Sequence, residues 1–316
     1  MSRSSAHFGT LLALALVLGL TTPASSRSQD EVAATLDDVV VVARRSGAPV
    51  WRVENGPSTV ILVGSILSVP RETPWRPEAL EAAVAQADTV ILSQSATMSL
   101  GDYFRMRRAR ATLPDGRTTA DYLDAELQRR LDGLGTHYRQ NYAQRGLVAI
   151  ARDLLDRRLR YERGTGLSAE AVVRAAARTA DRPVKLVGDM DARHVDESIA
   201  RPDPAQIACV RAAIAATEGG AAGVLERGRA WTGLRVADVV ASPVEQAVDR
   251  CAWFADDTLR VQSRAQWAEA VGQALDQPGV TMIVAPITMM AEPGGFLDQI
   301  EARGLEASGP DWKPVA

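Results

Sequence analysis

Apolar residues along this chain recur with two periods, and the periods predict its elements. Val50-Trp51-Arg52-Val53, a turn at Asn55-Gly56-Pro57-Ser58 and the uncharged run Thr59 to Val63 read as a β-hairpin. A strand with no charge on either face suits a sheet covered on both sides. Pro77 is placed to open a helix at its first position, and Leu80, Ala83, Val84 and Ala87 follow at helical spacing. Thr89 to Leu92 is the next strand, which makes a strand–helix–strand unit. Val39 to Ala43 is an apolar run that fits a further strand.

The middle of the chain is helical. Tyr122, Leu123, Leu127, Leu131 and Leu134 form one face, with Gly135 as the expected stop. Leu147 to Leu159 continues with an arginine-rich polar face. Ser168 is an N-cap candidate for a helix carrying Val172, Val173, Ala176 and Ala180. Val184 to Val187 reads as a third core strand and Thr281 to Ala285 as a fourth. Helices are expected from Pro204 to about Trp231, from about Pro243 to Leu275, and over Phe296 to Arg303, where Gly304 stops the last. The fold class is therefore α/β: a mixed β-sheet with flanking helices and a long helical insert between core strands.

The first residues predict export. Arg3 precedes an apolar run from Phe8 to Leu20, which suits a signal peptide and is short for a resident span. Small residues at Thr22, Ala24, Ser25 and Ser26 place cleavage near residue 26. The expected division is a signal peptide over 1–26, a flexible mature N-terminus over 27–48 and one α/β domain over 49–310, in a periplasmic or secreted bacterial protein. No later stretch reads as a membrane span. In an oxidising compartment the only two cysteines, Cys209 and Cys251, are expected to pair.

Charge and histidine content narrow the chemistry. The net charge of −3 offers no strong field for nucleic acid, and 34 of the 36 basic residues are arginine, a compositional bias. Histidine is limited to His7, His137 and His194, and cleavage would remove the first.

Several ordered features carry a family resemblance. They are Pro49-Val50-Trp51-Arg52-Val53, the hairpin into Val63-Gly64-Ser65-Ile66, Pro70, Trp75, and the helix ending at Ala87-Asp88. The strand at Lys185 to Val187, Trp231 and the late strand leading to Glu292-Pro293-Gly294 complete them. From Pro49 to about Glu306 the chain resembles the TraB/GumN family, which is related to the Tiki metalloproteases. The resemblance implies two G-x-x-H turns after core strands and an acid after a third, together holding a divalent metal at the carboxyl ends of the sheet. This sequence departs at each position. The first turn reads Gly64-Ser65-Ile66-Leu67, the acid falls on Ser93 with Gln94 beside it, and the second turn reads Ala285-Pro286-Ile287-Thr288. An arginine–asparagine pair expected before Trp267 reads Ser263-Arg264. An aliphatic group and neutral hydroxyls are poor metal ligands.

Rival sites are weaker. Asp189, Asp191 and His194 form an alternative metal set, against a bland reading as capping or solvated residues. Ser65 or Ser93 as a nucleophile lacks a G-x-S-x-G elbow. Arg105, Arg107, Arg108 and Arg110 read as a solvated helix face, and Met282, Met289 and Met290 as core filling. The expected function is a non-catalytic binding or scaffolding role in the cell envelope. It needs no cofactor, and its partner is an unidentified envelope protein or small ligand. Gly64, Ser65, Ser93, Gln94 and Thr288 are the cleft candidates. The alternatives are a metal-dependent hydrolase or peptidase with relocated ligands, and an accessory protein for polysaccharide export.

Overall fold

A computed structural model describes residues 39–93, 112–160, 164–187, 202–252 and 257–314. Its centre is a six-stranded mixed sheet in the order β4-β3-β5-β2-β1-β6. The strands are β1 (Val50–Asn55), β2 (Ser58–Ser65), β3 (Thr89–Ser93), β4 (Val184–Val187), β5 (Gly279–Pro286) and β6 (Ala307–Ser308). β1 and β2 form the expected antiparallel hairpin, with Gly56 at φ +58° in the turn. β5 runs parallel to both β2 and β3, and β4 runs parallel to β3. Four strands thus end at the same edge of the sheet. Every residue of β2 is buried, as its uncharged sequence requires.

The helices are α1 (residues 39–44), α2 (Pro77–Val84), α3 (Ala125–Tyr138), α4 (Leu147–Arg152), α5 (Ala169–Thr179), α6 (Pro204–Thr232), α7 (Val236–Ala241), α8 (Pro243–Ala252), α9 (Asp257–Leu275), α10 (Ile287–Ala291) and α11 (Phe296–Ala302). Local chemistry sets several boundaries. Pro77 occupies the first turn of α2. The side chains of Asp124, Ser168 and Asp203 accept from the backbone N–H groups of Leu127, Ala171 and Gln206, capping α3, α5 and α6. After α4 the chain continues over Asp153–Leu159 as a π-helical segment.

Apolar side chains form two cores. One gathers the sheet with Leu80, Val173, Trp231, Trp267, Val271 and Leu297. The other contains no strand residue and gathers Leu127, Leu131, Leu147, Ile150, Ile214 and Val244 from helices, with Leu113, Leu123 and Tyr142 from the connections. The insert therefore has a core of its own. α6 serves both cores, since Cys209 to Ala216 pack in the helical one and Ala230 and Trp231 in the sheet one. A reversal at Gly220, φ +59°, divides it. The cysteines are bonded to each other, joining α6 to α8 with Cα atoms 4.9 Å apart.

Five expectations change. Val39 to Ala43 is helical, not a strand: Val39, Val40 and Ala43 face the core one turn apart. The flexible N-terminal stretch therefore does not extend to residue 48, because α1 and Ala48 are packed. Gly135 does not stop α3. The helix runs to Tyr138 and reverses at Arg139, φ +54°, while Gln140 passes so close that a Cβ on Gly135 would lie 2.9 Å from its carbonyl. β4 is an exposed edge rather than a core strand, with Leu186 half exposed. Finally, α6 is long and apolar enough by composition to cross a membrane. Its kink, its disulfide and its share in two cores make it a core helix. The leader lies outside the described residues.

Candidate functional site

The shared edge where β2, β3 and β5 end is where the sequence places its candidates. Gly64 pairs with Ala285 and Ser65 with Pro286 across β2 and β5, so the two turns that the resemblance singles out leave the sheet side by side. A Cβ on Gly64 would meet the Trp51 ring at 3.2 Å and Ile287 at 3.3 Å, so packing alone requires a small residue there. The Gly64 carbonyl accepts a hydrogen bond from the buried Trp231 indole, 2.8 Å, and that ring meets Trp75 edge-on. Ser65 is buried, with its hydroxyl 3.5 Å from the Ile66 carbonyl.

Leu67, where the family resemblance implies the first histidine, is 49% exposed. Its carbonyl and that of Ser68 both accept from Arg227 Nη2, at 2.9 and 3.0 Å. Ser68 adopts φ +61°, which bends the loop so that both oxygens face the guanidinium. Arg227 is fully buried, and its Nη1 contacts Glu245 at 3.1 Å.

Glu245 and Asp249 stand one turn apart on α8. Asp249 accepts from the Thr288 hydroxyl at 3.2 Å and from Arg260 at 2.8 Å. Arg260 also reaches Glu292 at 2.7 Å, and Arg264 pairs with the same carboxylate. The buried Arg227–Glu245 pair thus stands one helical turn from a second group in which Arg260 joins Asp249 to Glu292 and Arg264 pairs with Glu292 from a partly exposed position. Burial pushes the Glu245 carboxyl above its usual range, Arg227 opposes the rise, and Asp249 adds to it. Burial raises Glu292 in the same way, against Arg260 and Arg264. Buried ion networks fix geometry more than they add stability, because desolvation offsets much of their attraction.

At the third strand end, the Ser93 hydroxyl donates to Glu170, and Arg174 donates to the Ser93 carbonyl at 2.7 Å and to Glu170 at 2.6 Å. α5 therefore brings in the carboxylate that the strand lacks, already paired with its own arginine.

The structure brings Gly64, Ser65, Leu67 and Thr288 to one edge, with Ser93 on the neighbouring strand. Gln94, Asp189, Asp191 and His194, and the run from Arg105 to Arg110, lie outside the described residues. His137 is exposed on the last turn of α3, against the Tyr138 ring at 4.6 Å. Met282, Met289 and Met290 are buried in the sheet core.

A family model matches residues 49–308. The chain belongs to the TraB/PrgY/gumN family. No curated protein and no solved structure gives a significant match. The divalent metal implied by the family resemblance does not fit the residues that this member presents. Leu67 has no donor atom, the hydroxyls of Ser93 and Thr288 are committed to Glu170 and Asp249, and each network carboxylate already faces an arginine. Among the described residues no group of three or more histidines, cysteines or acids could hold a metal ion.

Sequence reading missed Arg227, Glu245, Asp249 and Arg260. One signal was available: Glu245 and Asp249 sit among Val244, Ala247, Val248 and Cys251 on a short apolar helix. Two acids four residues apart, flanked by core residues, call for buried cations. Nothing local distinguishes Arg227 or Arg260 from the other arginines.

Proposed function

We propose that this chain is a non-catalytic member of its family, acting as a binding or scaffolding component of the bacterial cell envelope. The observation that carries this reading is the pair Arg227–Glu245 and, beside it, the group Arg260–Arg264 with Asp249 and Glu292, all near the strand ends. Guanidiniums there supply fixed positive charge that a metal would otherwise bring, without an open coordination position or an activated water. The apolar leader and the bonded cysteine pair support export to an oxidising compartment.

The test is titration of the purified mature protein with zinc, manganese and cobalt, beside N-terminal sequencing. No stoichiometric tight binding is expected, and the mature chain should begin between Ser25 and Arg27. Tight one-to-one binding lost on Asp249→Asn, Asp189→Ala or His194→Ala would overturn the reading in favour of a relocated hydrolase site. A chain that retains Met1 would overturn the cleaved leader.

A further inference from the structure

The helical layer holds a second charged cluster, away from the strand ends and unbalanced where the first is balanced. Asp153 is buried at the start of the π-helical segment. Its Oδ2 accepts from the Tyr142 hydroxyl at 2.7 Å and from Arg158 Nε at 2.9 Å. Winding with i→i+5 bonds rotates Arg158, five residues on, back onto the face of Asp153, where α-helical winding would carry it away. Arg157, one turn on, comes to the same carboxylate, and Arg145 reaches it from the loop before α4.

Three arginines converge on one carboxylate, so among the described residues this cluster carries two more positive charges than negative. The geometry separates their roles. Arg158 is hydrogen-bonded to Asp153 and lies over the Tyr138 ring at 5.5 Å, which fixes it in place. Arg145 Nη1 and Arg157 Nη1 stand 3.8 and 3.7 Å from Asp153 Oδ1, close enough for attraction but too long for hydrogen bonds. Among the described residues neither guanidinium makes a side-chain hydrogen bond, their side chains are 30% and 70% exposed, and both face the same Asp153 oxygen.

We propose that Arg145 and Arg157, seated by Asp153 and Arg158, form a binding site for a phosphate group. A tetrahedral oxyanion has enough acceptor oxygens to take a fork of N–H donors from each arginine at once, and its charge offsets the local excess. Asp153 acts as a seat: Tyr142 and Arg158 hold its Oδ2, while its Oδ1, bonded by Arg158 Nη2 only at 3.5 Å, faces the two arginines and offsets one of their charges. The same chemistry belongs to a soluble phosphate-bearing group and to an anionic lipid headgroup.

The experiment uses the full mature chain and two probes. Titration with inorganic phosphate at low salt should show one bound per chain, weakening as salt rises. Vesicles of phosphatidylglycerol, against phosphatidylcholine controls, test the headgroup. Binding should fall at least tenfold in Arg145→Gln/Arg157→Gln and partly in Arg157→Gln alone, whose exposed side chain can change without loss of fold. Arg211→Gln, on the same layer but paired with Asp124 at 2.8 Å, should bind as wild type. Phosphate binding without vesicle binding assigns the site to soluble groups; vesicle binding lost with the same arginines assigns it to headgroups. Binding of neither probe, or binding indifferent to both arginines, overturns the proposal.

Discussion

Replacing Arg227 with methionine should test the strand-end network most sharply. The side chain is wholly buried, so the substitution keeps much of its volume but strands three acceptors: the Glu245 carboxylate and the carbonyls of Leu67 and Ser68. Breaking a buried pair by removing one partner costs about 3–5 kcal/mol, because the remaining charge is left in low dielectric. For a domain of this size that corresponds to a fall in Tm of roughly 10 °C. The pH dependence identifies the cause. The folded Glu245 carboxyl already titrates above its unfolded value, and loss of Arg227 removes the largest influence holding it down. A raised acid binds its proton more readily in the folded state, so its stabilising contribution is present below the unfolded pKa and is lost as pH rises through the folded one. The variant should therefore lose most stability at neutral pH and recover part of it toward the ordinary carboxylate range. Adding Glu245→Gln should restore part of the loss at neutral pH, since the stranded charge is gone. Urea unfolding of wild type, both single variants and the double variant across pH is the assay. A loss below about 1 kcal/mol for Arg227→Met, or a double variant no better than Arg227→Met, would refute the argument.

Three further outcomes follow from other parts of the fold. The denatured, unreduced protein should show no free thiol, and replacing Cys209 and Cys251 by serine should cost up to about 4 kcal/mol in urea unfolding, the chain-entropy value for their 42-residue separation. Burial works against the charge of Asp153, yet hydrogen bonds from Arg158 and Tyr142, together with the charges of Arg158 and Arg145, outweigh it and hold the carboxyl below its usual range. That contribution is present above the unfolded value and lost as pH falls through the folded one, so Asp153→Asn should be less stable near neutrality, with a flatter acid limb in a pH–stability series; an unchanged acid limb would contradict it. Gly309→Ala would place a Cβ 2.4 Å from the Trp51 ring and 2.8 Å from the Val50 carbonyl, and should destabilise by about 1–3 kcal/mol with a change in tryptophan fluorescence; a neutral effect on both would show that the C-terminal segment does not pack against Trp51 as described.

The sequence by itself determined the parts of this protein whose causes are local. The hairpin, α2 behind Pro77, the cap at Ser168 and β5 were all legible because period, turn chemistry and capping act within a few residues. The cysteine pair was legible for another reason: only two were present. That leucine and threonine stand where the family resemblance implies histidines was readable from the sequence, while what surrounds them was not. Leu67 and Arg227 are 160 residues apart, and Asp249 and Thr288 are 39 apart. Only the packed structure decides which of 34 arginines meets which acid, because an ion pair depends on distance and burial, and neither leaves a period in the sequence. The apolar run at Val39 shows the same limit on a smaller scale. Five apolar residues suit a strand or a buried helix equally, and the core face that α1 was offered settled the choice. Likewise Val184 and Leu186 look like core residues but lie on the sheet's edge, since strand order is fixed by long-range pairing rather than by composition.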